Sequence, residues 1–185
     1  KYLEKSVKTA DPEAREKMHN ASTMAGMAFA NAFLGMSHSM AHKIGAVHHT
    51  IHGRTNAILL PYVIRYNGTR PSKTTTWPKY NYWKADEKFQ DIARMLGLPC
   101  STPEEAVEAY AKAVYDLGVA IGIKMNFKDQ GIDEKVWNES LHEIALLAYE
   151  DQCSPANPRL PMVADMEEIM ADAYYGYAER PGRRK

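Results

Sequence analysis

Three histidines suggest the chemistry of this chain. His38 and His42 lie four positions apart in GMSHSMAHKIGA, and His52 follows fourteen positions after His38, directly before Gly53. On a helix, residues four positions apart project from one face, one turn apart. Neutral imidazole is the commonest protein ligand for transition metals, so convergent histidines flanked by small residues favour a metal site.

Spacing alone leaves the identity of the metal ligands open. His38 and His42 have the spacing of an HExxH zinc protease, but Ser39 stands where that motif requires its glutamate base, so this interpretation fails. His48 and His52 form a second pair four positions apart, so periodicity does not decide which pair binds metal. Partly buried histidines that hydrogen-bond to the backbone are an ordinary structural alternative.

Composition places the chain among soluble globular proteins. Its 185 residues are 45% hydrophobic and 25% charged, enough for one domain with a substantial core. The formal net charge of zero argues against nucleic acid as a partner. The two cysteines, Cys100 and Cys153, are too few for a disulfide framework and predict a cytoplasmic protein. No apolar run approaches the ~18 residues of a membrane span, so no membrane partner is expected.

Nearly every segment has helical periodicity, which predicts an all-α bundle. A helix over roughly 12–34 has Asp11 as its predicted N-cap. From Ala21 onward it is small or apolar on all sides (STMAGMAFANAFLGM), which predicts a buried central helix. The next helix carries His38 and His42, and a third starts after Gly53 and should kink at Pro61. A long loop over 68–83 is rich in Thr, Pro and aromatic residues. Later helices are predicted over 84–97, from a capping box that begins at Thr102 to about 121, from an N-cap at Asp133 through 147, and over 162–175.

Two segments resemble a known enzyme family. MAGMAFANAFLGMSHSMAHKIGAVHHTIHGRTNAILLPYVIRYN resembles the signature of iron-containing (group III) alcohol dehydrogenases. More narrowly, ANAFLGMSHSMAHKIG and DQCSPANPRLPMVADMEEIMADAYYG are similar to the alcohol dehydrogenase half of bifunctional aldehyde–alcohol dehydrogenases. The resemblance covers nearly the whole chain. It implies a dehydroquinate-synthase-like helical domain that follows an N-terminal Rossmann-like domain, with a metal in the cleft between the two.

The resemblance also implies roles for the histidines. In this family one Asp and three His hold the ion, and His38 and His52 match the last two histidine ligands. The other two ligands come from an upstream D-x-x-x-H segment, and that pattern does not occur in this chain. Residues 1–185 are therefore expected to be the helical metal-binding domain of an N-terminally truncated fragment. His42 matches the histidine beside the nicotinamide and the substrate, where it relays a proton.

Three further residues are weaker candidates for a place near substrate or cofactor. Cys153 matches a family loop near the substrate end of the cleft, and a small buried hydrophobe is its structural alternative. Asn157 in the same loop would lie on the nicotinamide side, unless it only shapes a Pro-rich turn. Phe29, with Phe33, would line an apolar substrate pocket, although core packing is favoured for both.

The activity implied is hydride transfer between NAD(H) and short aldehydes or primary alcohols, with acetaldehyde and ethanol expected. Fe²⁺, or alternatively Zn²⁺, would act as the Lewis acid. NAD(H) would be bound mainly by the missing N-terminal domain. A homo-oligomer is expected, with filaments in the full-length parent. Two alternatives stay open: a catalytically incomplete scaffold or oligomerisation module, and a propanediol- or glycerol-type dehydrogenase that uses Zn²⁺.

Overall fold

A computed structural model describes residues 1–71 and 83–176 of the chain. The described residues contain no strand and form eight α-helices, which confirms the all-α prediction. These helices are α1 (Leu3–Thr9), α2 (Pro12–Ala32), α3 (Met36–His48), α4 (His52–Gly68), α5 (Ala85–Leu96), α6 (Pro103–Ala120), α7 (Glu134–Tyr149) and α8 (Val163–Tyr175). Most of the predicted loop over 68–83 lies outside the described residues.

Three helices begin where capping residues in the sequence predicted. The side chains of Asp11, Thr102 and Asp133 accept hydrogen bonds from first-turn backbone N–H groups of α2, α6 and α7. Such caps satisfy donors that have no partner within the helix. Proline follows at the first position of α2 and α6, where its missing N–H costs nothing.

Helix α4 lies at the centre of the bundle and packs against α3, α5, α6 and α8, while α7 packs against α3 and α8. Pro61 lies inside α4 and is buried. The main core fills the space between α3, α4, α7 and α8. Its largest fully buried side chains include Trp137, Tyr174, Phe127, Met36, Met40, Ile44, Ile58 and Leu59. The first turns of α3 and α4 are joined by a hydrogen bond from the Ser37 hydroxyl to Asn56, and these turns carry His38 and His52.

The prediction that α2 is a buried central helix is wrong. Only Ala14 of this helix is buried, and Met24 and Met27 are 68% and 66% exposed. Among the described helices, α2 packs substantially only against α1. Phe29 and Phe33 are likewise about half exposed, at 47% and 49%, so the core packing favoured for them is also wrong. An apolar surface favours burial, but burial requires a facing surface, and among the described helices only α1 provides a substantial one for α2.

No helix in the two described ranges has both the length and the apolar character required to cross a lipid bilayer.

Candidate metal and proton-transfer site

Helices α3 and α4 bring the three predicted histidines into one cluster. The ring centroids of His38 and His52 are 5.4 Å apart, and those of His42 and His52 are 5.3 Å apart in a stacked arrangement. The rings of His38 and His42 meet edge to face, with centroids 6.3 Å apart. Two imidazoles from α3 and one from α4 therefore converge on the same place.

The position of His52 depends on a link between the two helices. The Ser37 hydroxyl donates to Oδ1 of Asn56 over 2.9 Å, and Nδ2 of Asn56 lies 3.1 Å from Nε2 of His52. Asn56 and His52 are four residues apart on α4, so both side chains share one face. The amide of Asn56 thus orients the His52 ring toward α3.

The environment of His38 favours its neutral form. Burial lowers the pKa of His38, and the neighbouring charges of His52 and His42 lower it further. An imidazole binds a metal through the lone pair of an unprotonated nitrogen. The electrostatics of the cluster therefore suit metal ligation by His38.

His42 has a carboxylate partner that spacing could not indicate. Its Nδ1 lies 3.2 Å from Oδ2 of Asp151, a residue in the turn that follows α7. Lys43 places Nζ 3.0 Å from the same oxygen, and the backbone N–H of Cys153 donates to Oδ1 over 3.0 Å. Burial would raise the pKa of Asp151, but these hydrogen bonds from Cys153, Lys43 and His42 outweigh it and hold the pKa well below its usual range.

A second group of potential metal ligands overlaps this arrangement. Ligand atoms of His42, Asp151 and Cys153 lie within 4.8 Å of one another. Burial and the Asp151 carboxylate both raise the pKa of the Cys153 thiol, which disfavours the thiolate that metals bind. Because the Asp151 oxygens already accept three hydrogen bonds, this group is poorly suited to hold a metal ion. Cys153 itself is buried, as its structural alternative predicted.

His48 is separated from the cluster. Its ring stacks on Trp137 with centroids 5.2 Å apart, and its Nε2 lies 3.0 Å from the Ser140 hydroxyl. The hydrogen bond and the stacking contact make His48 part of the packing between α3 and α7. Of the two histidine pairs seen in the sequence, only the one on α3 lies on a single helix.

Asn157 holds the start of α3 in place. Its buried Oδ1 accepts the Met36 backbone N–H over 3.2 Å, and its Nδ2 donates over 2.7 Å both to Asn67 Oδ1 and to the Arg159 carbonyl. A Cβ added to Gly35 would lie only 2.7 Å from Asn157 Oδ1, so glycine permits this close approach. The side chain predicted to lie near the nicotinamide thus joins α3, α4 and the loop after α7.

Asn157→Ala should lower the free energy of unfolding by about 2–3 kcal/mol, because it leaves the buried Met36 N–H and Asn67 amide without partners. Chemical denaturation followed by circular dichroism would measure the loss. Asn138→Ala, at an exposed position on α7, is the matched control and should change stability by less than about 0.5 kcal/mol. Equal stability of the two variants would contradict this structural role.

Sequence inspection missed Asp151, Lys43 and Asn56. Asp151 is 109 positions from His42, and nothing in local periodicity connects them. The available signals were weak: an acidic residue two positions before Cys153 and an amide one turn after His52. These two signals indicate contacts with the histidines only once the packing of α3 against α4 and α7 is known.

Comparison with known proteins shows which family this helical domain belongs to. Residues 1–174 match the Fe-containing alcohol dehydrogenase family, in its C-terminal region. The chain belongs to this family. It is 81% identical over 183 residues to an aldehyde-alcohol dehydrogenase of Streptococcus pneumoniae serotype 2 (strain D39 / NCTC 7466), a match that covers 99% of this chain and 21% of that protein. The chain thus spans about a fifth of the length of this curated relative.

Solved structures of two other proteins have the same helical architecture. A 1,3-propanediol oxidoreductase matches with a TM-score of 0.78 and 32% identity, over 94% of this chain and 41% of that one. A sulfoacetaldehyde reductase from Bifidobacterium kashiwanohense, solved in complex with NAD⁺, matches with a TM-score of 0.71 and 25% identity, over 94% of this chain and 40% of that one. The predicted family and the predicted fold are therefore both confirmed.

Proposed function

We propose that this chain is the metal- and substrate-binding helical domain of an NAD(H)-dependent alcohol dehydrogenase that interconverts short-chain aldehydes and primary alcohols. The observation that carries the proposal is the convergence of His38, His42 and His52 in one cluster. Similarity to aldehyde-alcohol dehydrogenases over 99% of the chain supports the reaction class. Acetaldehyde and ethanol are the proposed substrates.

His38 and His52 would hold the metal, with Fe²⁺ as the proposed ion and Zn²⁺ as the alternative. His38 is the third residue of α3 and His52 the first residue of α4, so both lie at the positive end of a helix dipole. Two neutral imidazoles at such positions make a weak site for a dication. The donor set therefore requires an anionic ligand, which agrees with the carboxylate of the D-x-x-x-H segment that the family resemblance implies.

The bound cation would supply Lewis-acid chemistry that acidifies an alcohol hydroxyl or polarises an aldehyde carbonyl. Alcohol oxidation also requires transfer of a proton from the hydroxyl group, and hydride passes to NAD⁺. We assign the proton to His42, since its ring stacks on His52 and its Nδ1 lies beside a carboxylate. In this proposal, His38 on α3 and His52 on α4 bind the metal, and His42 on α3 transfers the proton.

A diol dehydrogenase is the second candidate. The similarity to a 1,3-propanediol oxidoreductase, with a TM-score of 0.78, favours it. The residues that hold metal and move the proton would be the same in both cases. Only the substrate, and the choice between Fe²⁺ and Zn²⁺, would differ.

Metal analysis and steady-state kinetics of the full-length protein test the proposal. We expect about one divalent ion per chain and NAD⁺-dependent oxidation in which kcat/KM for ethanol exceeds that for 1,3-propanediol and for glycerol. The reverse order would favour the diol dehydrogenase. A full-length protein that binds neither metal nor NAD(H) would contradict both and support the scaffold interpretation.

A further inference from the structure

The partner of His42 determines which of its ring nitrogens can exchange a proton. Nδ1 faces Oδ2 of Asp151 at 3.2 Å. An ionised carboxylate can only accept, so the hydrogen in this contact resides on Nδ1 of His42. Nε2, on the opposite side of the ring, then carries the lone pair. Within residues 1–71 and 83–176, Nε2 makes no hydrogen bond of its own.

The Asp151 carboxylate is itself held in place from three directions. Besides His42, it binds Nζ of Lys43 over 3.0 Å and the Cys153 backbone N–H over 3.0 Å. Its side chain is only 8% exposed, and its backbone carbonyl accepts the Ser154 N–H over 3.0 Å. A carboxylate fixed in this way can determine the orientation of a neighbouring ring, because neither of its oxygens is free to turn away.

We propose that Asp151 is a positioning residue that holds His42 in the tautomer with hydrogen on Nδ1 and directs Nε2 toward the reacting alcohol or aldehyde. This inference rests on the proposed function. A carboxylate that binds one nitrogen of an imidazole and thereby orients the other for proton transfer is a common arrangement in enzymes. Here the turn after α7 would supply the carboxylate to a histidine on α3.

Lys43 offers a way to separate positioning from structural support. Lys43 and His42 both contact Oδ2 of Asp151. Of these two partners, His42 is the one whose side chain belongs to the histidine cluster, where it stacks on His52. If Asp151 serves only to tie α3 to the turn after α7, then loss of either partner should disturb the enzyme similarly. If Asp151 positions His42, then removal of Lys43 should matter much less than replacement of the carboxylate.

The experiment uses the full-length enzyme and combines Asp151→Asn with His42→Ala. Asp151→Asn preserves side-chain volume but can donate to Nδ1, which favours the wrong tautomer. We expect its kcat for ethanol oxidation to fall on the order of 10–100-fold, with unchanged metal content and a KM for ethanol within about threefold of wild type. In the His42→Ala background, the same substitution should change kcat by less than about twofold. Lys43→Gln should lower kcat by less than about fivefold.

An equal additional loss of kcat in the His42→Ala background would overturn the proposal, as would unchanged kcat or lost metal in Asp151→Asn. A loss of kcat in Lys43→Gln as large as that in Asp151→Asn would also overturn it, in favour of structural support.

If Asp151→Asn does not fold, Asp151→Ser replaces it, with the same expectations. Wild-type activity and metal content are measured alongside. An inactive, metal-free wild type would overturn the proposed function together with this inference, whereas an active wild type isolates the inference.

Discussion

His52→Ala in the full-length enzyme is expected to lose bound metal and alcohol oxidation together. His52 reaches the cluster from α4, whereas the other two histidines come from α3. Its loss leaves His38 as the sole imidazole ligand that this domain would supply. Lewis-acid stabilisation of several kcal/mol would disappear, which corresponds to a fall in kcat/KM on the order of 10³-fold or more.

His42→Ala should behave differently, because its ring is assigned to the proton and not to the metal. We expect metal content to stay at the wild-type level while kcat falls by about 10²–10⁴-fold. His19→Ala, at an exposed position on α2, is the control for replacement of a histidine and should match wild type. Metal content by mass spectrometry and initial rates of NADH formation measure both effects. Full metal occupancy in His52→Ala would contradict the ligand assignment.

The largest effect on stability is expected for Trp137→Ala. The indole is 1% exposed and lies among three aromatic rings, with centroid distances of 5.2 Å to His48, 4.9 Å to Phe127 and 5.1 Å to Tyr174. Truncation would leave a cavity between α3, α7 and α8. The free energy of unfolding should fall by about 3–5 kcal/mol, measured by chemical denaturation with far-UV circular dichroism.

Trp137→Phe is the matched variant. It keeps an aromatic ring in the stack and removes Nε1, which is buried without a hydrogen-bond partner in the described part of the chain. We expect a loss of only about 1–2 kcal/mol, since less volume is removed and no hydrogen bond is broken. If Trp137→Ala cost less than Trp137→Phe, the aromatic stack would not be the centre of the core.

Local patterns predicted the helices well because their causes are local. Apolar periodicity located α3 and α4, and the caps at Asp11, Thr102 and Asp133 located the starts of three other helices. Burial was less predictable. The apolar face of α2 indicated a need for a partner surface, yet neither its composition nor its periodicity could say where that surface is.

Spacing did not decide between the pairs His38/His42 and His48/His52, because the answer depends on the path of the backbone between α3 and α4. Helix α3 ends at His48, and His49 adopts a left-handed conformation with φ 53°. The chain then turns, and His52 begins a new helix. His48 and His52 are therefore four positions apart in sequence without sharing a helix face. A left-handed residue is uncommon outside glycine, and a histidine at that position gives no clear signal of the turn.

The sequence by itself determined the helical class, most helix starts, the one-turn separation of His38 and His42, and the family resemblance. The resemblance implied that His38 and His52 act together, but only the tertiary structure showed that the His52 ring stacks on His42, that the His48 ring stacks on Trp137, and that Asp151 lies 3.2 Å from Nδ1 of His42 across 109 positions. The reason is physical. Helix formation depends on residues within a few positions of one another, whereas contacts between helices depend on how the whole core packs.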